Sequence, residues 1–276
     1  MINGEKIGVG IIAGFREELY KKCLVSIPDI WVDEIAVVND NPAVTYEKLL
    51  SETYIVNNSP NLGVGLSKNI ALRYLLGEGC DHIFLIEDDI FIRDPKVFEK
   101  YIEASKMTGI QHFNYSQHGR MNKTYGWGAD TPVPNPRVVI DYGKITLPLY
   151  PHCVGAFSYY SKKCLETVGL IDERYYNACE HVDHTLEIIK KGMHPPFWYF
   201  ADIEMSWTYL GDEEWSIEKS TISSNPNHQQ MMKDADVIFR EKHGCVPGDI
   251  KLFGIDEVGK TLKRIKNEYG FDDSNV

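Results

Sequence analysis

The chain has 276 residues, 43% of them hydrophobic and 25% charged, with a formal net charge of −11. This is ordinary globular composition, enough for one large α/β domain or two small ones. No apolar run approaches the roughly 20 residues of a membrane span, the start lacks the basic and apolar parts of a signal peptide, and no Lys/Arg run supplies a nucleic-acid footprint. Six cysteines, Cys23, Cys80, Cys153, Cys164, Cys179 and Cys245, form no CxxC pair. They read as reduced thiols of a cytoplasmic protein.

Strand and helix patterns alternate from the first residues. Residues 6–13 (KIGVGIIA) predict a strand, 17–26 a helix, 33–38 (DEIAVV) a second strand and 53–56 a third. The run Asn61-Leu62-Gly63 opens a helix that reaches Leu76 and stops at Gly77 and Gly79. Alternation of this kind over 90 residues implies a parallel sheet with right-handed crossovers. Residues 111–150, rich in Gly, Pro, Tyr and Asn, read as strands and loops. Next come strand-like residues 153–160, helices over 162–168 and 180–191, a strand over 195–203 (PPFWYFADI) and a helical stretch over 225–244. Residues 249–269 form a polar, partly helical tail that packs either on its own core or on a second subunit as a homodimer. The basic cluster at 260–266 reads as a solvated helix face.

Residues 83–89 are Ile-Phe-Leu-Ile-Glu-Asp-Asp. The short apolar run reads as a buried parallel strand. Its three acids cannot enter a core unpaired, so the strand must surface at Glu87, Asp88 and Asp89, where α/β sheets bind ligands. Adjacent carboxylates repel unless a cation lies between them. An all-oxygen set favours Mg2+ or Mn2+. The alternative is a solvated turn in which Asp88 or Asp89 caps the next stretch of chain.

The order of motifs resembles the GT-A glycosyltransferases, most closely the family-2-like enzymes, over about residues 6–245. The first strand with Ala13-Gly14-Phe15-Arg16 is similar to the family's first nucleotide-contacting turn. Val37-Val38-Asn39-Asp40 resembles its second strand, Asn61-Leu62-Gly63 with Lys68-Asn69 its helix opening, and Glu87-Asp88-Asp89 its metal motif. Gly155-Ala156-Phe157, residues 168–173 and Glu180-His181-Val182-Asp183 match the acceptor-side pattern. The resemblance implies an α/β GT-A fold with a mostly parallel sheet flanked by helices. Residues 1–110 would form the nucleotide-binding half, 111–245 the acceptor half and 246–276 a helical extension.

It further implies a metal-dependent, inverting enzyme moving a sugar from a nucleotide-sugar, a UDP-sugar first, to a glycan or glycolipid acceptor. Asp89 would be the direct metal ligand, with Glu87 or Asp88 holding metal-bound water or the donor ribose. Ala13, Phe15, Arg16, Asp40, Asn61, Lys68 and Asn69 would face the nucleotide, although Asp40 reads equally as a turn aspartate and Lys68 and Asn69 as a helix first turn. His228, His184, His194 or Glu204 would complete the metal set. The base is Asp183, Glu180 or His181, since His181 stands where the family carries Asp. Helical spacing puts Glu180 and Asp183 on one face and His181 on another. Trp127, Trp198, Trp207 and Tyr125 could stack on sugars, though core packing explains such rings as well. The group His118-Gly119-Arg120 has no role in this reading. A sugar nucleotidyltransferase and a catalytically silent binding fold are the competing classes.

Overall fold

Two runs of apolar residues lie side by side at the middle of the molecule: β1 (Ile7–Ala13), buried throughout, and a second strand, residues 82–87, buried except at its last residue. Strands covered on both faces need no polar alternation, which is why their sequences are continuous hydrophobic runs. The computed structural model describes residues 1–2, 4–46, 53–119, 121–125, 132–213 and 225–271.

After β1 come α1 (Glu17–Ser26), β2 (Glu34–Asn39), β3 (Thr53–Asn57), α2 (Val64–Gly77), β4 (His82–Glu87), β5 (Ile90–Ile92) and α3 (Lys96–Thr108). The middle of the chain carries β6 (His112–Asn114), β7 (Lys123–Tyr125), β8 (Pro132–Pro134), β9 (Val138–Asp141), β10 (Thr146–Tyr150) and β11 (Phe157–Ser161). The remainder holds α4 (Lys162–Val168), α5 (Glu180–Lys190), β12 (Phe200–Ala201), α6 (Ser206–Tyr209), β13 (Leu210–Asp212), α7 (His228–His243) and α8 (Ile255–Tyr269).

The main sheet has the order β3-β2-β1-β4-β11-β6. The first four strands are parallel, and β11 runs antiparallel to both β4 and β6. All four parallel strands therefore present their carboxyl ends along one edge, and β4 delivers its acids there. A small antiparallel sheet, β12-β10-β9, and the ribbon β13-β5 flank that edge. In the ribbon Asp212 stands opposite Ile90, the residue after Asp89.

Three expectations change. Of residues 195–203 only Phe200–Ala201 pairs as strand, because Trp198 takes a φ of 72° that breaks an extended run. The strand expected over 153–160 begins only at Phe157. The tail is a full helix, α8, whose Val258, Leu262 and Ile265 join the main core. It lies against α3, and Phe271 N–H donates to Lys106 O at 2.8 Å, so the tail packs on its own core. All six cysteines are free thiols. Among the described residues no helix is long and apolar enough to cross a membrane.

Candidate active site

The acids at the end of β4 each have a different environment. Glu87 turns to Lys68, 3.0 Å from its ammonium. Asp88 accepts from Gly14 N–H at 3.0 Å and pairs with Arg16. Asp89 Oδ2 lies 3.2 Å from Arg16 Nη1, while Asp89 Oδ1 is buried without a hydrogen-bond partner among the described residues. Burial pushes the Asp89 carboxyl up to about 6 against the opposing pull of His118 and Arg16. Arg16 thus supplies part of the positive charge that adjacent carboxylates require.

His118, which carried no role in the sequence, stands on the other side of Asp89. Its Nε2 is 4.0 Å from Asp89 Oδ2 and its Nδ1 is 3.1 Å from Asp212 Oδ1. Gly119 N–H donates to Asp212 Oδ2 at 2.9 Å. No spacing signal could have found this group, because it lies 29 positions beyond Asp89 and only the sheet edge joins them. Arg120 and Trp127 lie outside the described residues, as does the side chain of Tyr125.

The expected metal set changes accordingly. Among the described residues no three His, Cys, Asp or Glu side chains close around one point, so Glu87, Asp89 and His228 do not form a cage. His184 is buried on Gly169 O, and His194 is buried between Pro195 O and Ala201 N–H. His228 opens α7, and Glu204 is exposed. A cation at this edge would rest on Asp89, whose orphaned oxygen fits it.

Several residues expected to face the nucleotide hold the frame in this structure. Asp40 accepts from Leu62 N–H at 2.8 Å, Gly63 N–H at 2.9 Å and Asn58 Nδ2 at 3.0 Å, which pins the start of α2. Asn61 donates to Asp40 O and accepts from Tyr176 Oη–H at 2.6 Å. The next two amides of α2, at Val64 and Gly65, donate to Tyr176 O and Tyr175 O, so this helix start is already satisfied. Asn69 is buried on Ile171 and Glu173. Ala13 is buried, its carbonyl holding Asp40 N–H at 2.8 Å. Phe15 remains open to solvent at 65% exposure.

Lys68 sits at the centre of the second cluster. It is buried between Glu87 at 3.0 Å, Glu180 at 2.7 Å and Gly155 O at 3.3 Å. Burial by itself would raise the Glu180 carboxyl, but Lys68 and His181 overcome it and hold Glu180 well below the usual range. Glu180 also meets His181 Nδ1 at 3.1 Å. The helical-face expectation therefore inverts: His181 accompanies Glu180, and Asp183 goes elsewhere. Asp183 is fully buried, 2.6 Å from Lys242 and 2.7 Å from His243, and accepts from Tyr175 Oη–H. The Asp183 carboxylate is thus covered and paired with two side chains of α7. His181 keeps a partly exposed ring against Gly155, where a Cβ would come within 2.7 Å of His181 Cγ.

No family model matches the chain. An uncharacterized glycosyltransferase of Acanthamoeba polyphaga mimivirus is 26% identical over 201 residues, 69% of this chain and 71% of that protein. Among solved structures, GalNAc-T7 with UDP, GalNAc and Mn2+ superposes with a TM-score of 0.54 at 12% identity over 98% of this chain. S. aureus TarS 1–349 with UDP-GlcNAc gives 0.53 at 12% identity over 96%. This is the GT-A fold. By sequence and by fold alike the chain is similar to glycosyltransferases. It spans 55% of the GalNAc-T7 chain and 73% of that TarS fragment.

Proposed function

We propose that the protein is a metal-dependent, inverting glycosyltransferase. It moves a sugar from a nucleoside diphosphate sugar, a UDP-sugar first, to a hydroxyl of a glycan or lipid-linked glycan. The observation that carries this reading is Asp89, buried at the carboxyl end of β4 with one carboxylate oxygen lacking a partner among the described residues. UDP, UDP-GlcNAc and Mn2+ in the GalNAc-T7 and TarS structures support it.

Asp89 would hold the divalent cation, Mn2+ or Mg2+, which when bound neutralises the charge developing on the leaving diphosphate. Arg16 supplies a second cation at the same edge, anchored by Asp88 and able to meet a phosphate oxygen through a short movement. Phe15 offers an exposed ring to the nucleobase. On the acceptor side His181 is the base. Glu180 receives its Nδ1–H and fixes the tautomer, leaving Nε2 to take the hydroxyl proton. The acceptor oxygen then bonds to the sugar's anomeric carbon as the bond to the diphosphate breaks, and the proton rests on His181. Lys68 keeps Glu180 ionised for this task. The ion pairs of Glu180 with Lys68 and of Asp183 with Lys242 and His243 favour His181 over either as the base.

The test is the thermal melting shift with UDP, GDP, CDP or TDP, each with and without Mn2+, in wild type and Asp89→Ala. One nucleotide should raise the melting temperature only with Mn2+, and Asp89→Ala should lose that shift. A metal-dependent shift that survives in Asp89→Ala refutes the assignment.

A further inference from the structure

We propose that the cavity between residues 174–178 and α7 holds the part of an uncharged acceptor glycan that lies beyond the reacting sugar. This inference rests on the reading of His181 as the acceptor-side base, and it adds where the rest of the acceptor goes and what charge it carries.

The cavity has a volume of about 390 Å3, with the 174–178 segment as one wall and Asn227 and a face of α7 as the other. This is the size of a small-ligand cleft, about 300–1,000 Å3. Along α7 the apolar Met231, Ala235 and Ile238 recur at helical spacing, with Gln230 and Asp234 beside them. The wall is therefore an apolar strip with a polar rim, and a sugar likewise joins C–H faces to hydroxyls. On the opposite wall Tyr176 is 49% exposed, and Asn61 accepts from its hydroxyl at 2.6 Å, which holds the ring in place for a sugar to pack on. The amides of Asn177, Asn227 and Gln230 and the Asp234 carboxylate offer the donors and acceptors that hydroxyls need. Asn177 Nδ2 rests on Met231 Sδ at 3.4 Å, a weak acceptor that a sugar hydroxyl would readily replace.

Charge decides the class of ligand. The cationic residue of the lining, Arg174, is held by Asp172 at 2.8 Å and by Glu241 at 3.2 Å. Asp234 adds a negative charge to the same cavity. A phosphate or a sugar acid would meet net repulsion there, whereas neutral hydroxyls bond to amides and carboxylates alike. Position decides the place in the reaction. Ala178 lines the cavity and His181 follows three positions later, so their Cα atoms are at most about 11 Å apart. Cys179 between them takes a φ of 62° and turns the chain from the cavity wall into α5. Tyr175 O and Tyr176 O are pinned to the start of α2, and Lys242 and His243 anchor α7 to α5. Both walls are thus preformed, which lowers the cost of binding. The competing possibility is that the cavity is only the gap left where α7 docks, and the experiment separates the two.

The fluorescently labelled full chain is applied to an array of immobilised neutral and acidic oligosaccharides and the corresponding monosaccharides. Wild type should retain neutral oligosaccharides in preference to monosaccharides and to sugar acids of the same length. For the oligosaccharide retained best, Tyr176→Ala should weaken binding about tenfold, the loss that removing one anchoring ring brings. Tyr176→Phe should keep most of it. Gln230→Trp, at an exposed position of α7 where substitution costs little stability, should fill the cavity and abolish binding. Asp234→Lys should turn the preference toward sugar acids. Melting of each variant shows whether it folds. Wild type that retains no neutral oligosaccharide, or retention unchanged in folded Tyr176→Ala and Gln230→Trp, overturns the proposal. The Mn2+-dependent melting shift with UDP, GDP, CDP or TDP separates it from the reading on which it rests. If a shift is present and no saccharide is retained, only the cavity assignment fails. If saccharide is retained through the cavity and no nucleotide gives a shift, the transferase reading fails while the binding site stands.

Discussion

Lys68 and Glu180 meet at 2.7 Å inside the protein, and this contact ties the first turn of α5 to α2. Glu87, the first acid of the β4 terminus, shares the same ammonium. A single buried ammonium thus connects the end of β4 to the start of α5, and its removal should be felt on both sides.

Lys68→Met replaces the ammonium by an apolar group of similar length and leaves two carboxylates facing each other without a countercharge. Stripping one partner from a buried pair costs about 3–5 kcal/mol. Urea unfolding at pH 7 should show a loss of that size. An unchanged midpoint would mean that Glu87 and Glu180 find other partners.

Glu180 makes stability depend on pH. Its folded carboxyl lies below the ordinary value of 4.5, so in acid the unfolded chain binds more protons than the folded one. Stability from this group is complete above about 4.5 and is lost as pH falls toward the depressed folded value. Unfolding free energy measured from pH 6 down to pH 3 should decline, and Glu180→Gln should flatten part of the decline. Equal slopes in the two proteins would remove Glu180 from the account.

His181→Ala should lower sugar transfer by about 10²–10⁴-fold, the usual contribution of a general base, with the Mn2+-dependent UDP melting shift unchanged. Gly155→Ala should act in the same direction through the displaced ring, because the added Cβ would sit 2.7 Å from His181 Cγ. Loss of nucleotide binding in either variant would place His181 on the donor side instead.

Asp40→Ala tests whether this residue is frame or nucleotide contact. It removes the acceptor of three hydrogen bonds, two of them from the backbone that leads into α2. A buried donor left unmet costs about 1–3 kcal/mol, so the melting temperature should drop. A variant that melts like wild type but no longer binds nucleotide would restore Asp40 to the donor site.

The path from sequence to site was readable where the chain is locally consistent. The β1 and β4 runs are apolar because parallel strands are covered on both faces, but the acids expected to surface at 87–89 do so only at Glu87, since Asp88 and Asp89 stay buried against Arg16. The Asn61-Leu62-Gly63 helix opening and the Glu180 helix start were legible for similar reasons of turn and period. What those helices face was not. Lys68 and Asn69 look outward by position, yet the 171–176 segment covers Asn69 and α5 covers Lys68. Helical spacing joined Asp183 to Glu180, but the lysine and histidine at the end of α7 drew Asp183 away.

The sequence by itself determined the α/β architecture, the point at which β4 ends, and the clustering of acids there. These come from hydrophobic period and from the cost of burying unpaired charge, both of which act within a few residues. Only the tertiary structure decided that Arg16 neutralises Asp88 and Asp89, that Lys68 holds Glu180, and that His118 and Asp212 flank Asp89. Those pairings join segments far apart in the chain, and no local propensity carries information about which charges the sheet will bring within a few ångströms.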